Sequence, residues 1–303
     1  MPPPRPRPVS SGGVSLFRTL PTLKRPLWGG SRLAAEFGKG EGIIGESWEC
    51  WPDGLLADGR RVREVADLPV LVKLIDTREV LSVQVHPGDE AARGRGHPHG
   101  KAEAWVVLDA LPGARVAWGL RRELSRAELR ERALSGAIEA DLAWFEPRPG
   151  DVIEVPPGTI HAIGPGLLLY EVQEPIDLTW RLYDWGRGRE LHLEEACEVA
   201  RLEVVSDPCR PMGERDGVLL QRVEFRLSRR TDGAWWQEGW AAFTALGNVT
   251  LDGEEVRRGE TVVLGPGEHG SVGGAGLVAE GGEGPHTASI QSNSPVTAST
   301  AVV

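Results

Sequence analysis

Two short stretches of this chain hold the side chains best suited to chemistry. The first, VLSVQVHPGDE at residues 80 to 90, alternates apolar and polar residues and stops at His-Pro. As a strand it turns Leu81, Val83 and Val85 to one side and Ser82, Gln84 and His86 to the other. A serine, an amide and an imidazole in a row opposite an apolar face fit the lining of a cavity that holds something. In the second stretch, GDVIEVPPGTIHAIG, Pro157 and Gly158 form a tight turn between strands, and His161 returns into the interior just after it. Between the two lies KAEAWVVLDA, a third strand candidate carrying Lys101 and Glu103 on one side.

The run from Gly150 through Pro156-Pro157-Gly158 to His161 resembles the second half of the cupin motif. The first half of such a site supplies two side chains one strand step apart, then a carboxylate on the next strand. Two sets compete for that place: Gln84 and His86 with Glu103, or His97 and His99 with Glu103. The stretch GRGHPHG is saturated with Gly and Pro, so a regular inward-facing strand is disfavoured there. LSVQVH alternates cleanly, so Gln84 and His86 are the choice, and His97 and His99 read as a surface loop. Two neutral imidazoles, a carboxylate and an amide oxygen suit a borderline divalent ion, with zinc the best match. Open coordination positions would make the site catalytic.

The elements that position these groups read as mostly β. The chain has 39 Gly and 23 Pro among many short Val/Leu-rich runs, the pattern of strands joined by turns. Helical spacing is confined to RRELSRAELRERALSGAIEADLAWF and the short LHLEEACEVAR, and CRPMGERDG reads as a linker. A faint repeat sets Gly150 and its Pro157-Gly158 turn against Gly259 and Pro266-Gly267, with Gly270 where His161 would fall. Two related β modules are expected, the second without the histidine. The expected layout is a disordered Pro-rich tail at 1–20, a metal-binding catalytic domain at 21–210, a smaller cupin-like β domain without metal at 211–289, and a flexible end at 290–303.

A net charge of −10 argues against a general nucleic-acid or membrane partner while leaving room for a local basic pocket. No run approaches the length of a membrane span and no signal-peptide core opens the chain, so the reading is cytoplasmic. The three cysteines are widely spaced and suggest thiols in a reducing compartment.

The segments LWGGSRL, GESWE, LVKLID, LSVQVHPGDE, GKAEAWVVLDA, VPPGTIHAIG and DLTWRLYDWGR run in the order found in type I mannose-6-phosphate isomerases, over roughly residues 21 to 200. The resemblance is to the short bacterial form, in a cupin-type jelly-roll barrel. It implies one zinc per chain held by Gln84, His86, Glu103 and His161, and reversible conversion of mannose 6-phosphate to fructose 6-phosphate. It makes Arg181 an active-site residue that holds the enediolate or the phosphate, and gives Lys101 a role in phosphate contact or proton chemistry. Ser82 would hydrogen-bond substrate. Glu171 is the general-base candidate, with Glu174, Asp177 and Lys101 as the alternatives: a carboxylate among strand residues is partly desolvated, and Glu171 precedes Arg181 by ten residues as the proposed base does in longer members. Thr179, Arg181 and Tyr183 are expected on one face, and the Arg- and His-rich loop around Arg93 and Arg95 is expected to flank the mouth. Two other readings compete: a cupin dioxygenase, which the Gln84 amide and Lys101 fit poorly, and a non-catalytic sugar-binding relative, against which Arg181 and Lys101 speak.

Overall fold

The computed structural model describes residues 15–204, 209–213 and 215–282. Its first half holds two antiparallel sheets. One has seven strands, in the order Cys209–Pro211, Asp151–Val155, Glu103–Ala110, Leu167–Gln173, Leu71–Asp76, Glu46–Cys50 and Thr22–Lys24. The other has five, in the order Trp180–Tyr183, Val83–Val85, His161–Ile163, Val116–Leu120 and Leu142–Phe145. Their inner faces meet over one part of a shared core that includes Trp105, Val107, Trp118, Ile153, Ile163 and Leu169.

The outer face of the five-stranded sheet is covered by the helices Arg126–Ser135 and Leu193–Val199. Val83, Val85, Ala162, Trp180 and Leu182 pack there against Leu129, Ala133 and Ala196. This burial fixes the register. A one-residue slip would turn Val83 and Val85 into the polar lining and press Gln84 under the helices, where its unpartnered amide would cost about 1–3 kcal/mol. The first helix begins at a capping box, in which Ser125 accepts from the Glu128 amide while the Glu128 carboxylate reaches back to Ser125. It ends at Gly136, whose φ of +79° stops it well short of the stretch read as helical. Leu142–Phe145, the apolar end of that stretch, becomes a strand against Val116–Leu120.

The second half repeats the arrangement. A seven-stranded sheet runs Gly217–Gln221, Phe225–Arg230, Gly276–Gly281, Ala241–Ala245, Thr261–Leu264, Leu16–Leu20 and Leu55–Leu56. It is backed by a four-stranded sheet of Gly233–Gln237, Gly267–Val272, Val249–Leu251 and Glu254–Val256. The two seven-stranded sheets share a core: Val72, Leu74, Val106 and Tyr170 from one join Phe225, Leu227, Val263 and Leu277 from the other.

Two expectations need correction. Residues 16–20 are not part of a disordered tail; they form a strand whose Leu16, Phe17 and Arg18 pair with Leu264, Val263 and Val262. The stretch read as a linker contains the strand Cys209–Pro211, which closes the edge beside Asp151–Val155. The expected tails at 1–14 and 290–303 lie outside the described residues.

The repeat is visible as geometry. Gly150 and Gly259 both take positive φ, +89° and +80°, at turns that launch matching strands. His269, near the place of the missing ligand, is a buried structural side chain. Its Nδ1 lies 2.6 Å from Asp252 Oδ2 and its Nε2 lies 2.8 Å from the Gly265 carbonyl, so neither nitrogen is open to an ion.

Candidate metal centre and active site

Three strands bring the reactive groups together. His161 opens its strand directly opposite Gln84, and Gln84 in turn faces Arg181 across the next pairing. Side chains opposite one another in an antiparallel pair share a face, so all three point to the sheet's inner side. Glu103 begins the facing strand. The ligand-capable atoms of His86, Glu103 and His161 lie within 4.8 Å of one another, all three residues buried. His97 and His99 are not part of this group; they lie on the loop before Lys101, with His99 Nδ1 3.3 Å from Glu174.

The hydrogen bonds behind the histidines set them up as ligands. His86 Nδ1 lies 2.9 Å from the Leu178 carbonyl and His161 Nδ1 lies 2.9 Å from the Thr159 carbonyl. A carbonyl only accepts, so each Nδ1 carries the hydrogen and each Nε2 presents a lone pair. Those Nε2 atoms sit 3.3 Å from the two Glu103 oxygens and have no hydrogen-bond partner, although they are fully buried. Burial, with the Lys101 charge, pushes the His86 pKa down to about 3, and burial lowers His161 as well. Both rings are therefore neutral, as ligands must be. Burial alone would raise Glu103; the Lys101 ammonium, 2.9 Å from Oε2, holds it well below the usual carboxylate range. Orphaned lone pairs converging on one buried point are costly unless a cation satisfies them. The donor set fits a divalent metal.

The Pro-Pro-Gly turn is tied directly to this centre. The Gly158 amide donates to the His86 carbonyl at 2.8 Å, and the Arg201 amide donates to the Gly158 carbonyl at 2.8 Å. Gly158 has φ +85°, and a Cβ there would come within 2.8 Å of the Val199 carbonyl. Gly158→Ala is accordingly expected to cost at least about 1–2 kcal/mol of stability and to weaken metal binding by displacing His86. Thermal unfolding with and without added zinc measures both effects.

The inner face of the seven-stranded sheet continues the polar lining. Glu171 stands opposite Trp105 on one side and Lys73 on the other. Lys73 Nζ lies 2.8 Å from Glu171 Oε1 and donates to Gln173 Oε1 at 2.6 Å. Trp105 Nε1 donates to Glu171 Oε2 at 2.8 Å. Burial raises the Glu171 pKa above the ordinary carboxylate range, and the Glu103 charge adds to the rise against Lys73 and Lys101. Burial alone would lower Lys73, but the Glu171 and Glu46 carboxylates outweigh it and raise the pKa. Lys73 also lies over the Trp48 ring, 5.2 Å from its centroid.

Lys73 is the residue that sequence reasoning missed. Its signal was a lone lysine in LPVLVKLID, where every other strand position but the last is apolar; a lysine buried in such a run needs a buried partner.

Other expectations shift in detail. The regular strand is only Val83–Val85. Leu81 packs into the inner core with Trp105 and Trp118, while Val83 and Val85 face the helices, so the alternation breaks between them. Ser82 lies in that break, buried. Tyr183 leaves the face of Arg181: the register shifts between them, setting Tyr183 opposite Val83, and its hydroxyl donates to Glu139 at 2.7 Å. Arg181 is anchored by its amide on His192 Nδ1 at 3.1 Å and by Nη1 on the Glu190 carbonyl at 2.5 Å. Arg93 pairs with Asp89 and Arg95 with Glu198, so neither guanidinium stands free at a mouth.

Two facing sheets with a buried His/Glu/His centre and a Pro-Gly turn behind it define a cupin with a candidate metal centre. The sequence is 34% identical over 240 residues to the mannose-6-phosphate isomerase ManA of Bacillus subtilis, covering 69% of this chain and 73% of that one. It is 33% identical over 206 residues to the mannose-6-phosphate isomerase of Streptococcus mutans, covering 58% of this chain and 65% of that one. The chain belongs to the mannose-6-phosphate isomerase family. It spans about two thirds of the length of these curated relatives. No protein-family model matches the sequence. The fold is that of the solved mannose 6-phosphate isomerase of Bacillus subtilis, with TM-score 0.76 at 24% identity over 88% of this chain and 99% of that one. A putative mannosephosphate isomerase from Archaeoglobus fulgidus superposes with TM-score 0.73 at 21% identity, over 91% of this chain and 100% of that one.

Proposed function

We propose that the protein interconverts mannose 6-phosphate and fructose 6-phosphate through an enediol(ate), with zinc held by Gln84, His86, Glu103 and His161. The observation that carries this reading is the convergence of buried, unpartnered Nε2 atoms on Glu103, with Lys101 beside them, in a chain of this family. When bound, the ion supplies a Lewis acid that polarises the sugar oxygens.

The protein's own groups do the rest. The proton leaves C2 and returns at C1 while the hydroxyl hydrogen passes from O2 to O1, so the redox change stays within the sugar. Glu171, its pKa raised by burial, is the base that carries the carbon-bound proton. Lys73 keeps that carboxylate in place. Arg181 supplies a fixed positive charge for the enediolate or the phosphate, Lys101 contacts phosphate or moves a proton, and Ser82 hydrogen-bonds the sugar. The second pair of sheets is a covering module without a metal.

The setting proposed is the cytoplasm, with a small sugar phosphate as partner; no helix among the described residues is long and apolar enough to cross a membrane. The test is conversion of mannose 6-phosphate before chelation, after chelation and after zinc is added back. Turnover lost with the metal and restored by zinc is the expected result. A metal-loaded protein without turnover overturns the proposal.

A further inference from the structure

Trp105 joins two groups that the proposed reaction uses separately. It lies two residues after Glu103 on the same strand and is fully buried. Its indole meets the His161 ring in a steeply tilted contact, with centroids 5.5 Å apart and planes at 65°. Its Nε1 donates to Glu171 Oε2 at 2.8 Å.

A buried indole N–H needs an acceptor, and a backbone carbonyl suffices. Two other tryptophans use one, Trp118 on the Glu154 carbonyl at 2.8 Å and Trp185 on the Leu81 carbonyl at 2.6 Å, while Trp48 donates to the part-buried Glu46 carboxylate at 2.7 Å. Trp105 instead donates to a buried carboxylate, a stronger, charge-assisted bond. With Lys73 on Oε1, the two oxygens of Glu171 are held from different directions, which fixes the plane of the carboxylate. The same indole limits how far the His161 ring can tilt.

We infer that Trp105 is a positioning residue, setting the Glu171 carboxylate relative to the metal ligand His161. The inference rests on the reading of Glu171 as the base. A carboxylate free to rotate would seldom meet the sugar carbon in line, and misplacements of about 1 Å cost on the order of 100-fold in rate.

Trp105→Phe keeps an aromatic ring in the core while removing the donor and part of the indole's volume. Its kcat is expected to fall about 10- to 100-fold with KM changed less than about twofold and bound zinc at the wild-type level. The deciding measurement is a double-mutant cycle with Glu171→Gln. If Trp105 acts through Glu171, adding Trp105→Phe to Glu171→Gln costs less than about twofold further. An undiminished cost in that background overturns the inference, as does an unchanged kcat in the single variant or a loss of activity that tracks a loss of zinc. A wild-type rate for Glu171→Gln alone overturns the base assignment and the inference together, and is recognisable because Trp105 is untouched. Should the phenylalanine variant fail to fold, the same cycle run with Trp105→Leu, which also lacks a donor, gives the same readings.

Discussion

His161→Ala and His86→Ala are each expected to abolish zinc binding and to lower kcat by at least roughly 10²–10³-fold. Each removes one of two imidazoles whose Nε2 atoms face Glu103 at 3.3 Å, and no other histidine of the described residues stands close enough to replace it. The loss is also visible without substrate. A metal that binds only the folded state raises its stability in proportion to the logarithm of free metal over Kd. Wild-type protein should therefore melt at a higher temperature as zinc is added, and the two variants should not. His97→Ala and His99→Ala are the matched controls and should keep both metal and activity. Loss of zinc in either control would mean that the ion sits elsewhere.

Lys73→Met is expected to be the most destabilising single change in the barrel. It removes the cation 2.8 Å from Glu171 and leaves a carboxylate buried without its partner. Breaking a buried pair from one side costs about 3–5 kcal/mol. The remedy separates stability from catalysis. In the double variant Lys73→Met, Glu171→Gln no buried charge is left unpaired, so most of the lost stability should return, whereas turnover should not. Denaturant unfolding and the isomerase assay, run on the two single variants and the double, provide both readings. Full stability in Lys73→Met would show that the loss of the cation is compensated, by water reaching Glu171 or by a proton taken up on its carboxylate.

Much of this centre was legible because its chemistry is local. The run from Gly150 to His161 is a turn with a fixed count of residues, and Gln84, His86, Lys101 and Glu103 follow from strand alternation. The misread features all depend on partners far away in the chain. The strand Leu16–Leu20 follows a proline-rich stretch, and its hydrogen-bonding partner lies at Thr261–Leu264. Lys73 reads as an oddity until Glu171 and Gln173 are seen beside it. Leu81 departs from the alternation because its place in the inner core is set by Trp105 and Trp118, not by its neighbours in sequence. The bulge that turns Tyr183 away from Arg181 leaves no mark in TWRLYDW, because an inserted register shift is a property of the pairing and not of one strand.

The strand Leu16–Leu20 has a thermodynamic consequence. It pairs with Thr261–Leu264 on one side and Leu55–Leu56 on the other, so the start of the chain is woven into the sheet built mainly from its end. A truncation after residue 210 would leave that strand without its main partner, and the isolated remainder would expose the edge of Thr261–Leu264 as a template for aggregation. Neither half is therefore expected to fold on its own. Unfolding should proceed as one cooperative transition, and hydrogen exchange in Thr261–Leu264, Val83–Val85, Glu103–Ala110 and His161–Ile163 should slow together on addition of zinc.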